Sequence, residues 1–411
     1  MDTERPARRS DQNVLHPGNA PRVQRRIASI DLLRGTVMIV MALDHVRDFF
    51  HADSFVFRPL DLSHTSVPLF FTRWITHFCA PGFVFLAGTS AYLVGQRKST
   101  RELSLFLLTR GLWLVFLDVL VVNFGWSFNI SFPFFTFNVL WALGASMMTL
   151  AALVYFPERF ILIMGVVMVA GHNLLDGVHV GGNTLAAFGW ALLHEPNAFQ
   201  LGTRSLSVGY PLVPWPGVMV LGYCCGRLYQ NDFDGGRRRR LLILLGGSMI
   251  LSFVLLRCFN VYGDASHWSQ QSSAVLSFLS FIRTSKYPPS LLFLLMTLGP
   301  ALLFLAFTES VSGRAGRIVS VYGRVPLFYY LVHIGVIHLL ALLAAEFTAG
   351  HDWSDWILTR PPWEAGFKSY GFSLPITWLI WIGLVVTLYP LCKRYDSYKQ
   401  KHKSQWWLSY M

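Results

Sequence analysis

Residues 27–53 read IASIDLLRGTVMIVMALDHVRDFFHAD. At 1.5 Å per residue the window 27–50 makes a helix of about 36 Å, enough to cross a hydrocarbon core about 30 Å thick. It is apolar for most of its length and ends in a knot of ionisable groups. The stretch therefore predicts a membrane-embedded helix with chemistry at one end. Nine more apolar windows follow at about 67–94, 103–126, 137–156, 160–175, 214–229, 241–257, 289–307, 321–346 and 375–391. Those at 160 and 214 are short, and 185–193 reads as a further half-span or re-entrant piece. The expectation is an all-α polytopic membrane bundle of about ten or eleven helices.

Composition agrees. A soluble chain of 411 residues would hold two or three domains of roughly 150 residues. Here 53% of residues are hydrophobic and 14% charged, against about 25% charged in an average globular chain. That excludes a secreted domain, a disordered protein and a nucleic-acid module. The net charge of +12 has no groove- or base-reading motif beside it, so no nucleic-acid partner is expected. The five cysteines are odd in number and lie within apolar runs, and none has zinc spacing. Neither a disulfide framework nor a metal is expected.

Basic residues set the orientation. With ten spans starting inside, twenty-three of the 34 Lys and Arg fall on the inner side. They include the tail arginines Arg5, Arg8, Arg9, Arg22, Arg25 and Arg26, the run Arg237 to Arg240, and the C-terminal cluster from Lys393 to Lys403. Nine, Lys368 among them, fall outside, while Arg34 and Arg110 lie within spans. Both termini are therefore expected in the cytosol. Residues 1–26 read as a disordered basic tail, 27–392 as the transmembrane domain and 393–411 as a basic and aromatic tail. The outer connections 51–66 and 260–288 are long and rich in His, Asp, Asn, Trp and Pro, the usual character of functional loops.

On a helix Asp44, Asp48 and His51 stand at i, i+4 and i+7, with His45 three residues before Asp48, so they share one broad face. Counted from Ile27, His45 lies roughly 27 Å up, near the outer edge of the hydrocarbon. A carboxylate beside an imidazole can hold its tautomer and raise its basicity; the plainer reading is a polar helix end at the interface. His77 lies roughly 15 Å inward on the next, antiparallel window. With Pro81 and Gly82 behind it, it predicts a polar pocket shared with His45, against the plainer reading of a core histidine. Arg34 and Arg110, near the cytosolic ends, read either as snorkelling anchors or as a phosphate-receiving pair, with Arg97 and Lys98 beside them.

The stretches SIDLLRG (29–35), ALDHVRDFF (42–50) and HFCAPGFVFLAGTSAYL (77–93) resemble the first two catalytic-domain helices of the heparan-alpha-glucosaminide N-acetyltransferase family, in its bacterial membrane acyltransferase branch. Further similar stretches are LLTRGLWLVFLD (107–118), GHNLLD (171–176), YPLVPWPGVMVLGY (210–223), TSKYPPSLLFLLMTLGPALL (284–303) and GRVPLFYYLVHIGVIH (323–338). The spacing from Arg34-Gly35 to His45 is also similar to membrane acyltransferases that O-acylate surface polysaccharides. The resemblance implies an integral protein of the bacterial cytoplasmic membrane. It would transfer an acetyl group from cytosolic acetyl-CoA to a sugar or glycan acceptor on the far side, with Arg34, Arg110, Arg97 and Lys98 toward the CoA. In the glycosaminoglycan-acetylating members the position matching His45 is an asparagine, and the active histidine falls near His51. Those members also carry Gln-Arg where this chain has Trp141-Ala142, and a large lumenal N-terminal domain for which no counterpart is expected here.

The first reading is thus an acyltransferase in which His45 or His51 acts as general base, or as an acetyl carrier, and Asp44 or Asp48 orients it. The alternative is a proton-coupled secondary transporter using the same groups. A third is a non-catalytic multi-span partner. The transporter reading expects inverted internal symmetry, which the sequence lacks. The expected partners are the bilayer, acetyl-CoA and the extracytoplasmic acceptor, with room left for a homodimer.

Overall fold

The structure, a computed structural model, describes residues 27–311, 313–364, 367 and 369–410. The predicted tail 1–26 with its six arginines, and Lys368, lie outside the described residues. The fold is mostly helical. Seven helices among the described residues are long and apolar enough to cross a membrane: Val67–Gly95, Thr100–Ser127, Glu158–Leu175, Gly235–Phe259, Leu291–Thr308, Pro326–Glu346 and Leu374–Lys401. Helices also occupy the other three predicted windows. α1 (Ala28–Phe50) is long enough but carries Asp31, Arg34, Asp44, Arg47 and Asp48. α6 (Val139–Leu153) and α9 (Pro214–Cys225) are shorter.

Breaks in the long helices follow local chemistry. Val67–Gly95 consists of α2 (Val67–Trp74), a tight turn at Ile75–Phe78 and α3 (Cys79–Gly95). Pro81 offers no N–H to the carbonyl one turn back, at His77, and the helix loosens there. Thr100–Ser127 consists of α4 (Thr100–Leu117), a wide π-turn at Asp118–Val122 and α5 (Asn123–Ser127). A capping box between Ser99 and Glu102 starts α4. The single window expected at 321–346 is two helices, α13 (Arg314–Arg324) and α14 (Pro326–Glu346). Val325 between them leaves the helical region (φ −127, ψ 46) because a residue before proline is disfavoured there.

The remaining helices are α7 (Glu158–Gly171), α8 (Leu185–Leu193), α10 (Gly235–Phe259), α11 (Ala274–Ile282), α12 (Leu291–Thr308) and α15 (Leu374–Lys401). The all-α expectation needs one correction. β1 (Phe134–Phe137), β2 (Asn197–Leu201) and β3 (Arg204–Val208) form a sheet in the order β1-β3-β2, with β2 and β3 an antiparallel hairpin turning at Gly202 (φ 64). Residues 197–208 alternate in hydrophobicity about that glycine, a strand pattern. The sheet buries Phe199 and Val208 against Ala187 and Ala191 of α8.

α1 is the central helix, packed on α3, α12, α13, α14 and α15. Its contact with α13 depends on glycine. A Cβ at Gly35 would collide with the Val319 carbonyl, and one at Gly323 with the Asp31 carbonyl. The two backbones therefore touch, which brings Arg34 and Arg324 to one end of the bundle.

Candidate functional site

The site is built along two parallel stripes. On α1, Arg34, Met38, Met41 and His45 follow one another at spacings of four, three and four residues, a single helix face. On α14, Pro326, Tyr330 and His333 make a matching face. A cavity of about 260 Å³ lies between them; Arg34, Met38, Met41, Pro326 and Tyr330 line it, along with the apolar walls of α3, α4 and α6. Four cations line it too: Arg34, Arg110, Arg324 and Lys399. Arg34 donates to Ser90 Oγ (2.9 Å) and to the Gly323 carbonyl (3.2 Å), and Arg324 pairs with Asp396 at 2.7 Å. Lys98 and Arg110 each stand 5.9 Å from the ring centre of Phe106, another wall residue. Arg97 lies on the exposed 96–99 turn and is not part of the lining.

Both stripes lead to a pair of imidazoles. His45 Nδ1 lies 2.8 Å from His333 Nε2, and His333 Nδ1 lies 2.8 Å from the Tyr329 carbonyl. A carbonyl only accepts, so His333 Nδ1 carries the proton and its Nε2 accepts one from His45 Nδ1. That chain fixes His45 as the tautomer with a lone pair on Nε2. The His45 ring is half-buried, edge-on to Trp126 (5.3 Å between centroids) and to Tyr330 (6.1 Å).

The carboxylates do not orient the imidazole, and this corrects the expected pairing. Asp44 accepts from Arg73 and sits 2.7 Å from Arg47, while Asp48 sits 2.5 Å from Arg47. Two guanidiniums on hand outcompete a neutral ring for carboxylate oxygens. In addition, adjacent helix residues such as Asp44 and His45 face different directions.

His51 and His77 are not brought into the His45 pair either. Six residues beyond His45 and past the helix end, His51 donates Nδ1 to the Phe372 carbonyl (3.1 Å), with Nε2 3.4 Å from Asp53. Burial pulls the His51 pKa below its ordinary value, while the Phe372 carbonyl and Asp53 pull the other way. His77 is fully buried with its ring 5.2 Å from Phe293. Neither of its nitrogens has a hydrogen-bond partner among the described residues.

Sequence reading passed over several neighbours of the dyad. Lys286 is buried, lies 5.2 Å from the Tyr287 ring centre, and is within electrostatic reach of Asp44 and His45. Tyr287 donates to Tyr210 at 3.3 Å. Burial raises the Tyr287 phenol, but Lys286 and Arg73 outweigh it and hold the pKa below its ordinary value. Arg73, Lys286, Tyr287, Tyr210 and Asp44 thus form a charged and phenolic cluster beside His45. His333, Lys286 and Tyr287 all fall in the stretches 284–303 and 323–338, and a histidine inside an apolar run was itself a usable signal.

The family model described as heparan-alpha-glucosaminide N-acetyltransferase, catalytic, matches residues 26–257, more than half of the chain. The matched part holds Arg34, His45, Arg73 and Arg110; Lys286, Tyr287, Arg324 and His333 lie beyond it. No curated protein matches the chain.

Proposed function

Because the chain belongs to the heparan-alpha-glucosaminide N-acetyltransferase catalytic family, a family of membrane acetyltransferases, we propose that it carries an acetyl group from acetyl-CoA to a sugar or glycan acceptor. The donor occupies the cavity between α1 and α14, and the acceptor hydroxyl or amine arrives past Lys286 and Tyr287. The observation that carries this reading is the unbroken α1 face from Arg34 to His45. It spans eleven residues, about 16 Å of helix, with cations at one end, apolar wall between and an oriented imidazole at the other. Phosphates suit the guanidiniums of Arg34, Arg110 and Arg324, with Lys399 and Lys98 adding charge. The apolar wall suits an uncharged arm running up to the thioester.

In the reaction His45 Nε2 takes the proton of the acceptor as its oxygen or nitrogen bonds to the thioester carbonyl carbon. The C–S bond then breaks, and the thiolate leaves with the proton that His45 returns. His333 is a positioning residue: it holds His45 Nδ1–H, so that Nε2 is the basic atom and the imidazolium formed in passing keeps a hydrogen bond. The same lone pair serves an acetyl-imidazole relay in which Nε2 itself accepts the acetyl group.

This reading goes with a protein of the bacterial cytoplasmic membrane that crosses ten or eleven times with both termini in the cytosol. The sorting of basic residues supports that orientation, and the cation-lined end of the cavity then opens toward the CoA pool. Purified protein incubated with radiolabelled acetyl-CoA and cell-envelope glycans tests the function. Label on glycan with the wild type and none with His45→Ala is the expected result, and label held on the protein identifies the relay. Wild-type protein that neither binds acetyl-CoA nor labels any fraction overturns it.

A further inference from the structure

A second group of imidazoles lies outside the His45 site. His172 opens the 3-10 turn that continues α7, Asp176 closes that turn, and His194 ends α8. His172 and Asp176 stand at the two ends of that turn, four residues apart. His194 comes from 18 residues beyond Asp176 and reaches them only through the fold. Its Nε2 stands 3.0 Å from Asp176 Oδ1, and one donor atom from each of the three residues lies within 4.8 Å of the others.

Both imidazoles are 2% exposed. A buried ring nitrogen normally has a partner, yet among the described residues neither nitrogen of His172 has one, nor does Nδ1 of His194. The Pro289 carbonyl lies beside the His172 ring without meeting a nitrogen in hydrogen-bond geometry. The surroundings are otherwise well satisfied. Asn173 gives Nδ2 to Asp176 Oδ2 at 2.8 Å and accepts the backbone N–H of Leu291 at 2.9 Å.

We propose that His172, Asp176 and His194 bind a divalent transition-metal ion of the zinc class. Two imidazoles and one carboxylate suit zinc, whereas magnesium and calcium prefer oxygen ligands throughout. Zinc bonds of about 2.0–2.1 Å place tetrahedral ligands roughly 3.3 Å apart, so the three side chains draw together on the ion and water takes the fourth position. At His194 the ion displaces the proton now facing Asp176, which moves to the partnerless Nδ1. The bond from Asn173 to Asp176 is the outer-shell support that orients a ligand, and the Pro289 carbonyl is poised to give the same support to His172.

The ion also has a place in the wider site. Pro289 and Leu291, held against His172 and Asn173, end the segment that carries Lys286 and Tyr287. A metal that clamps the end of α7 to α8 therefore fixes the backbone that sets Lys286 within reach of His45 and Tyr287 within reach of Asp44. This positioning role rests on the acetyltransfer reading; metal binding itself does not.

The test uses the full chain in detergent, stripped with a chelator and titrated with Zn²⁺ alone or Co²⁺ alone, without acetyl-CoA. Expected are one ion per chain and the intense visible bands of four-coordinate Co²⁺. His172→Gln and His194→Gln should each weaken binding by about 100-fold or more, beyond the 10- to 100-fold cost of losing an outer-shell partner. His179→Gln, an exposed imidazole paired with Glu195 at 2.9 Å, should bind as the wild type does. If the histidine variants do not fold, Asp176→Asn, which keeps the shape and loses the charge, replaces them with the same expectation. Wild-type protein that takes up neither ion, or variants that bind as it does, overturns the site. Acetyl-CoA binding by chelator-stripped protein keeps the two readings apart, since it can persist when the metal site fails and be absent when the metal site holds.

Discussion

His45 and His333, 288 residues apart, meet through Nδ1 and Nε2 at 2.8 Å. Because the Tyr329 carbonyl accepts the one ring proton of His333, on Nδ1, one carbonyl on α14 decides which nitrogen of His45 is basic. Removing His45 should then cost the full general-base effect, about 100- to 10,000-fold in kcat. His333→Ala should cost about ten- to a hundredfold, the rate equivalent of a buried hydrogen bond worth about 1–3 kcal/mol. His333→Asn, whose side-chain carbonyl can still accept from Nδ1–H, should recover part of that loss. Equal activity in His333→Ala and His333→Asn would show that orientation of His45 does not matter.

At the cation-lined end, Arg110→Lys keeps the charge but loses the planar fork that fits phosphate. It should raise KM for acetyl-CoA by about tenfold or more, as loss of a charge-assisted hydrogen bond worth about 1.5–3 kcal/mol does, with kcat little changed. Arg324→Ala should behave similarly. Isothermal titration with acetyl-CoA checks both, and unchanged affinity would reduce these residues to interface anchors.

The contact of α1 with α13 predicts opposite outcomes for two glycines. Gly323→Ala puts a methyl group into the Asp31 carbonyl, and overpacking of this kind costs about 1–3 kcal/mol. Its thermal midpoint in detergent should fall and its acetyl-CoA affinity with it, since Arg34 donates to the Gly323 carbonyl. Gly189→Ala, within α8 and with nothing within 4 Å of its Cβ, should be neutral or stabilising by up to about 1 kcal/mol.

His51 separates stability from catalysis. Its pKa is lower folded than unfolded, chiefly through burial, so the folded state favours the neutral ring. The stability this gives is present above the unfolded value of 6.5 and is lost as the pH falls through the folded one. Thermal melts from about pH 7 to about pH 5 should show the wild type losing more stability than His51→Gln. His51→Gln should also keep most of its acetyltransfer, and a loss as deep as that of His45→Ala would move the base to His51.

Orientation is open to direct measurement. A reporter fused after Met411 should signal from the cytosol, and one inserted in the 265–272 connection from the far side, because positive residues mark the inner face. An extracytoplasmic signal from the C-terminal fusion would invert the arrangement and turn the cations of the cavity away from the CoA pool.

Hydropathy alone located helices at all ten windows, because lipid requires long apolar stretches whose backbone is satisfied within the helix. The basic and acidic groups at the two ends of α1 were legible for the same reason: an ionisable residue in an apolar run stands out. The hairpin of residues 197–208 and the break at Val325 went unread in an all-α expectation with one window at 321–346, although alternation about Gly202 and Pro326 at the start of α14 carry their signals. What the sequence could not decide is which side chains face each other. His45 stands one and three residues from carboxylates in the chain, yet its partner is a histidine on α14, and those carboxylates turn to Arg47 and Arg73. Local spacing settles only which face of a helix a residue occupies. The backbone contacts at Gly35 and Gly323, and the order of helices around α1, settle what that face meets.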